Sequence, residues 1–374
     1  MTLPPIVILG AGAVTAVGDD VVSTCAAMRA RFNNHKETDF TDQDWNPVVA
    51  SRAAVEPALM GEGRLIEMAA CAIKQLSSPL NVEQLSSIPW LLCTPEVTRV
   101  GRPDDDRALL TRIANSLGVK LHPASSEVPH GRTAALLALM AAQTMFSESQ
   151  HQQVLLLATD SLVDLDGLAD LEERGLLLTQ DNPNGFIPGE AAVALLLAPL
   201  NNNAPSGVSA TAPHRRLHMV FDSAAFAITD PDAIPAPSRP DAINRKPIPI
   251  DGQELAAAIE LACEQAHCTV DDITVRLADC NGTEAGFKES ALAEARAFQS
   301  SEQPLPPLWL PAECVGEVGA AFVPLAMAWA WHAAIKGYLP GLVSANNATN
   351  ARPLIHTTNA DGLRGAAVFR FEEI

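Results

Sequence analysis

Aromatic residues are scarce in this chain. They make up 5% of its 374 residues, with a single tyrosine, Tyr338. The core must therefore come from Ala, Leu, Val and Ile packed closely, which suits helices laid against sheets. Basic residues are also few: 25 Lys and Arg against 44 Asp and Glu leave a formal net charge of −19. That argues against nucleic acid as a partner, because phosphate binding needs clusters of cations. It argues against an anionic membrane surface on the same ground. Paired cysteine motifs are missing. The seven cysteines, at 25, 71, 93, 263, 268, 280 and 314, include no CxxC and no Cys/His set at zinc-ligand spacing. No metal and no cofactor is expected, and the odd, dispersed thiols read as reduced in a cytoplasmic protein. No basic region precedes the first apolar run, so a secretory signal is not expected. The longest apolar stretch, 319–335, contains Pro324 and His332 and is too short to span a bilayer, so it reads as a buried helix.

What is present is an alternation of strands and helices. IVILGAG (6–12) reads as a buried strand with a tight turn after it, and 20–31 as a helix. A second strand is expected at 47–53, a helix at 61–76, a strand at 88–94 and an amphipathic helix at 104–117. Residues 131–147 form a helix apolar on almost every face, followed by buried strands at 154–161 and 191–200. Loops are expected at 201–213 and at the proline-rich 229–251, where missing backbone donors exclude a central strand. Between and after them come strands at 217–223, 273–279, 306–310 and 365–373, and helices at 252–267, 285–299 and 319–336. Alternation implies parallel-type sheets covered by helices. The two all-apolar helices, 131–147 and 319–336, must each be sandwiched. Two sheets with a helix layer between them satisfy both. The expected fold class is therefore α/β, a five-layer α-β-α-β-α arrangement of two duplicated halves, 1–205 and 206–374.

GAGAVTAVG (10–18) invites a dinucleotide-binding reading. The third glycine of that fingerprint is Thr15 here, and the second expected strand does not end in Asp or Glu, so nicotinamide binding is set aside. Four other segments carry more. They are 8–30, 155–199 with GFIPGEAA (185–192), 278–298 with CNGT (280–283), and 310–341 with CVGE (314–317). Together they resemble the β-ketoacyl synthases of the thiolase superfamily over almost the whole chain. GFIPGEAA is close to that family's GFxxGEGA motif. The resemblance implies the same five-layer fold and a dimer in which residues 120–129 pair across a two-fold axis.

The resemblance also marks departures. The family's nucleophilic cysteine, at the start of the first buried helix, matches His130 in EVPHGRTAALLALM (127–140). Its HGT histidine matches Asn281, its second histidine Glu317, its lysine Ala312, and its GFGG loop NADG (359–362). His130 cannot carry a thioester, and an amide and a carboxylate cannot supply the proton chemistry of two imidazoles. The first expectation is thus a catalytically degenerate, ketosynthase-like protein acting as a dimeric protein-binding or accessory module. Two settings fit such relatives. One is an accessory for type VI secretion effector loading, which residues 46–69 resemble more. The other is a chain-length-factor-like partner, a heterodimer with an active ketosynthase. The net charge of −19 disfavours acidic acyl carrier protein, although Arg215–Arg216 and Arg245–Lys246 are local basic pairs. The second expectation is a divergent acyl-transfer or hydrolytic enzyme using His130 and Glu317 as base and orienter and Asn281 as a donor. Nearby nucleophile candidates are Thr133, Thr283, Cys280 and Cys314, with Cys93 more remote. Each has a plain structural reading as a turn, cap or buried small hydrophobe.

Overall fold

The computed structural model describes residues 3–76, 80–148, 151–200, 217–228, 250–342 and 350–373. The chain begins with β1 (Ile6–Thr15), α1 (Val21–Arg29), β2 (Lys36–Thr41), β3 (Pro47–Ala50), α2 (Gly61–Leu76) and α3 (Val82–Ser87). Next come β4 (Trp90–Thr94), α4 (Asp106–Ser116) and β5 (Ser126–Pro129). A 3₁₀ turn, Gly131–Thr133, then leads into α5 (Ala134–Glu148), followed by β6 (Val154–Ser161), α6 (Leu165–Glu173) and β7 (Glu190–Pro199). The rest comprises β8 (Leu217–Ile228), α7 (Gln253–Gln265), β9 (Val275–Ala278), α8 (Glu284–Ala297), β10 (Leu308–Trp309) and α9 (Ala312–Val315). Another 3₁₀ turn, Gly319–Ala321, opens α10 (Phe322–Ile335), and β11 (Pro353–Thr358) and β12 (Leu363–Glu373) are the last strands. Helix starts follow local chemistry: the Asp20 and Asp105 carboxylates accept from the third backbone N–H of α1 and α4.

Period-two burial sorts the strands into layers. In β6, Val154, Leu156 and Ala158 face one cluster with α5 and α10, while Leu155 and Leu157 face another with α2 and α4. In β12, Ala367, Phe369 and Phe371 join the α5–α10 cluster, while Ala366 and Val368 pack with α7 and α8. The order is thus α2/α4, sheet, α5/α10, sheet, α7/α8. This is the thiolase-like α/β fold, and it explains why α5 and α10 lack a polar stripe.

Several expectations change in detail. The two sheets are one hydrogen-bonded sheet of ten strands, in the order β10-β9-β11-β12-β8-β1-β7-β6-β4-β5. Its halves meet where Ile6 and Val7 pair with Phe221 and Val220. The sheet is mixed: β4 runs parallel to β5 and β6, but β1, β6 and β7 pair antiparallel, as do β8, β11 and β12. The expected second strand pairs with β2 over Pro47–Ala50, and only a single bridge, Ser51 to Gly189, ties it to the residues before β7. Gly10 and Gly12 lie inside β1, not in a turn after it. A side chain on Gly12 would overlap the Ala72 carbonyl, so glycine there lets α2 sit directly on the strand. Loop 201–213, both basic pairs and nearly all of 229–251 lie outside the described residues, as does the boundary between 205 and 206. Among the described residues, no helix is long and apolar enough to cross a membrane.

Candidate functional site

GFIPGEAA brings the two halves together. Glu190 is fully buried and takes Arg64 Nε at 2.8 Å on both oxygens, with further bonds from Ser161 Oγ (2.9 Å) and the Ala53 N–H (2.9 Å). This pair ties α2 to β6 and β7 and leaves no free carboxylate. The backbone just before it pairs with Glu317: Gly189 N–H donates to the Glu317 carbonyl (2.8 Å), and Glu317 N–H donates to the Ile187 carbonyl (2.8 Å). A Cβ on Gly189 would strike the Val315 carbonyl, so the motif needs glycine for this approach.

Glu317 is thereby held, buried, at the start of α10. Arg132 grips its carboxylate as a fork, Nε to Oε1 at 3.0 Å and Nη2 to Oε2 at 2.6 Å. Asn281 Nδ2 donates to Oε2 at 2.7 Å, and Gly319 N–H donates to Oε1 at 2.9 Å. Arg132 Nη1 also reaches Asp279 Oδ2 (3.4 Å) and the Thr358 carbonyl (3.3 Å). Asp279 in turn accepts from Thr357 Oγ1 (2.8 Å) and Thr358 N–H (2.7 Å). Burial opposes the charge on Arg132, but Glu317 and Asp279 more than offset it and push its pKa up.

Of the three residues named from sequence, the structure joins Asn281 to Glu317. The His130 side chain is exposed and makes no capping bond. It is the backbone of His130 that is tied in: its carbonyl accepts from Thr133 Oγ1 (2.8 Å) and from Asn359 Nδ2 (3.0 Å). Asn359 begins NADG and is buried, with its N–H bonded to the Leu363 carbonyl (2.9 Å). That segment is the tight hairpin between β11 and β12, latched onto the start of α5. Ala312, at the lysine's matched place, starts α9.

The candidate nucleophiles are engaged or insulated. Thr133 donates to His130 as above. Thr283 caps α8, accepting from Gly286 N–H (3.3 Å) while its hydroxyl bonds Asn281 Oδ1 (3.1 Å). Burial pushes the Cys280 thiol up to about 12 and the Cys314 thiol up to about 11. Cys93 is fully buried, and burial raises its pKa further. Among the described residues, no three His, Cys, Asp or Glu side chains gather as a metal set.

Arg132 is the residue that sequence reading passed over. It is the only Lys or Arg between Lys120 and Arg174, and it stands at the head of an apolar helix. A lone cation in that setting demands a carboxylate partner. Glu96 and the Arg99–Asp160 pair (2.7 Å) lie close by. A Cβ on Gly131 would overlap the Glu96 carboxyl, and one on Gly319 would overlap Asp160. Burial holds the pKa of Glu96 above the usual carboxylate range, and that of Asp160 likewise.

No protein-family model and no curated protein matches the chain. Solved structures do. One is a chain of the AntDE:AntF complex, described as a type II PKS acyl-carrier protein with its ketosynthase bound to the hexaketide. It superposes with a TM-score of 0.73 at 14% identity, covering 99% of this chain and 100% of that one. The oxazolomycin ketosynthase domain OzmH KS7 of Streptomyces albus gives 0.76 at 13%, covering 99% and 74%. The ishigamide ketosynthase/chain length factor gives 0.71 at 16%, covering 99% of each. Identity at this level speaks to the fold alone. The chain thus has a ketosynthase-like, thiolase-like fold.

Proposed function

We propose that this protein is a catalytically degenerate ketosynthase-like module that works by binding other protein chains. The observation that carries this reading is the Arg132 fork. Its guanidinium occupies the carboxylate of Glu317 and reaches Asp279, while Asn281 completes the set. These are the positions where the resemblance would place two imidazoles, and here every group already has a protein partner. An anionic oxygen at Glu317 opposes an enolate instead of stabilising one.

Dimerisation is part of the proposal. β5 lies at one end of the ten-stranded sheet with β4 as its one neighbour. An exposed edge of this kind is normally covered, and a second copy or a ketosynthase-like chain covers it by strand addition. We also read residues 1–205 and 206–374 as duplicated halves, supported by the matching 3₁₀ turns that start α5 and α10. The setting we favour is an accessory to type VI effector loading, in the cytoplasm, where seven free thiols are at home. The second reading is a chain-length-factor-like subunit, favoured by the full-length superposition on the ishigamide ketosynthase/chain length factor.

The test has two arms. Incubation with acyl-CoA and malonyl-CoA, followed by intact mass and product analysis, should give neither adduct nor turnover; a covalent acyl adduct sinks the proposal. Light scattering on the purified chain should show a stable homodimer. A monomer that dimerises only with a cysteine-bearing ketosynthase transfers the case to the second reading.

A further inference from the structure

Among the described residues, five helices end in the same way. In each, the N–H two residues beyond the cap returns to the carbonyl five residues back, and the N–H before it returns three residues back. The five long bonds are Phe32 to Ala27 (2.9 Å), Val119 to Ala114 (2.9 Å), Leu176 to Leu171 (2.8 Å), Tyr338 to Ala333 (3.0 Å) and Cys268 to Cys263 (3.0 Å). The residue between is left-handed in all five: Arg31, Gly118, Gly175, Gly337 and His267. This closure brings the side chains of its two end residues into contact, and that contact is normally hydrophobic. It is apolar in four of the helices. At the end of α7 it consists of two thiols.

We propose that Cys263 and Cys268 are a redox-active dithiol, a modification site at which a peroxide oxidant closes a disulfide. The geometry supports closure. The 3.0 Å bond between their backbones keeps the two Cα atoms within the ~7 Å that a disulfide tolerates. The left-handed His267 between them turns the two side chains toward the same side of the helix end. Cys263 is buried against α8 and β12, whereas Cys268 is half-buried at the surface. One thiol is therefore open to attack and the other is waiting behind it, the arrangement of an attacking and a resolving cysteine.

The electrostatics favour the same division of labour. The neighbouring Cys263 thiol holds the Cys268 thiol below its ordinary range, with the Arg352 guanidinium assisting. Cys263 is raised by its neighbour Cys268 and by burial. In the reaction, the Cys268 thiolate attacks hydrogen peroxide, breaks the O–O bond and becomes a sulfenic acid, releasing hydroxide. The sulfur of Cys263 then attacks the Cys268 sulfur. The S–S bond forms, the S–O bond breaks, and the Cys263 proton leaves with the departing hydroxide as water. The first hydroxide takes up the proton that Cys268 gave to solvent on ionising, so two thiols lose two electrons and the peroxide is reduced to two waters.

The test uses the intact folded chain. Alkylation at neutral pH, mapped by peptide mass, should label Cys268 on the order of tenfold faster than Cys71, the other thiol that is not fully buried. Hydrogen peroxide should then yield one linked peptide pair, Cys263 to Cys268, with loss of two hydrogens and recovery by a thiol reductant. Cys263→Ser should stop at a sulfenic acid on Cys268 that dimedone traps. Equal alkylation of Cys268 and Cys71, or peroxide treatment that leaves both thiols free, overturns the proposal.

Discussion

The starts of α5 and α10 are built on one backbone plan and meet opposite surroundings. Each begins with a 3₁₀ turn whose first residue is a left-handed glycine, Gly131 at φ +52° and Gly319 at φ +51°. Each glycine lies against a carboxyl group, Glu96 in the first case and Asp160 in the second. At α10 the helix N–H groups are capped by acids, Gly319 by Glu317 and Ala320 by Asp160, and all these residues are buried. Helix dipole and carboxylate support each other there. At α5 the first turn instead carries the cation Arg132, and the preceding residue, His130, is exposed. A cation at a helix N-terminus is unfavourable by itself. Its position makes sense because the acids belong to the other start: Arg132 reaches across to Glu317. The two helix starts thus complete each other, and that mutual satisfaction replaces the open chemistry expected from the resemblance.

The contrast can be broken most severely at Gly319. Gly319→Ala forces a left-handed alanine into a fixed Asp160 carboxylate, which is bonded to Arg99 and to Ala320. A loss of about 3 kcal/mol or more is expected in chemical denaturation, close to unfolding for a marginal protein. Glu317→Ala leaves Arg132 short of its main partner, with an expected loss of about 2–3 kcal/mol after allowance for the guanidinium's partial exposure. A double-mutant cycle with Arg132→Ala should recover about 1–3 kcal/mol of coupling; additive losses show that the fork is ornamental. Gly131→Ala meets the same backbone strain, but Glu96 has a longer and partly exposed side chain that can withdraw. About 1–2 kcal/mol is expected, less than at Gly319.

Glu96→Gln should act in the other direction, and only at higher pH. The folded-state pKa of Glu96 is raised from 4.5 by burial. Its ionisation therefore costs stability as pH climbs through the folded pKa, and nothing below about pH 4. The glutamine variant should be more stable than wild type at pH 7 and equal to it at pH 4, as read by urea midpoints. His130→Ala should be the quietest change, within about 0.5 kcal/mol, because the imidazole is exposed and does not cap the helix. A large loss there shows that the two helix starts differ less than the geometry says.

Much of the fold was legible because burial writes a period into the chain. The helix expected at 61–76 and the strand at 154–161 match α2 and β6 at both ends. Short or half-polar elements were not legible. α3 spans six residues, and β11, PLIHTT, interrupts its apolar run with His356 and Thr357, which are buried through hydrogen bonds and neighbouring strands, and with the half-buried Thr358. The site was partly legible. Asn281 and Glu317 meet as the matched motifs imply, but their third partner is Arg132, 185 residues from Glu317. No local pattern reports a hydrogen bond across that span. The Cys263–Cys268 pair was visible as two letters only; its meaning depends on the left-handed His267 that turns one thiol onto the other.

Alone, the order of apolar and polar residues determined the layered α/β architecture, since hydrophobic periodicity specifies which face of each element must leave water. It also determined what is absent, from cationic clusters to a cysteine at the start of α5. Tertiary structure decided the rest. Two helix starts converge from opposite halves of one sheet, and electrostatics at that convergence pairs Arg132 with Glu317 and Asp279. Such pairing depends on distance and burial in three dimensions, which the spacing of residues along a chain does not encode.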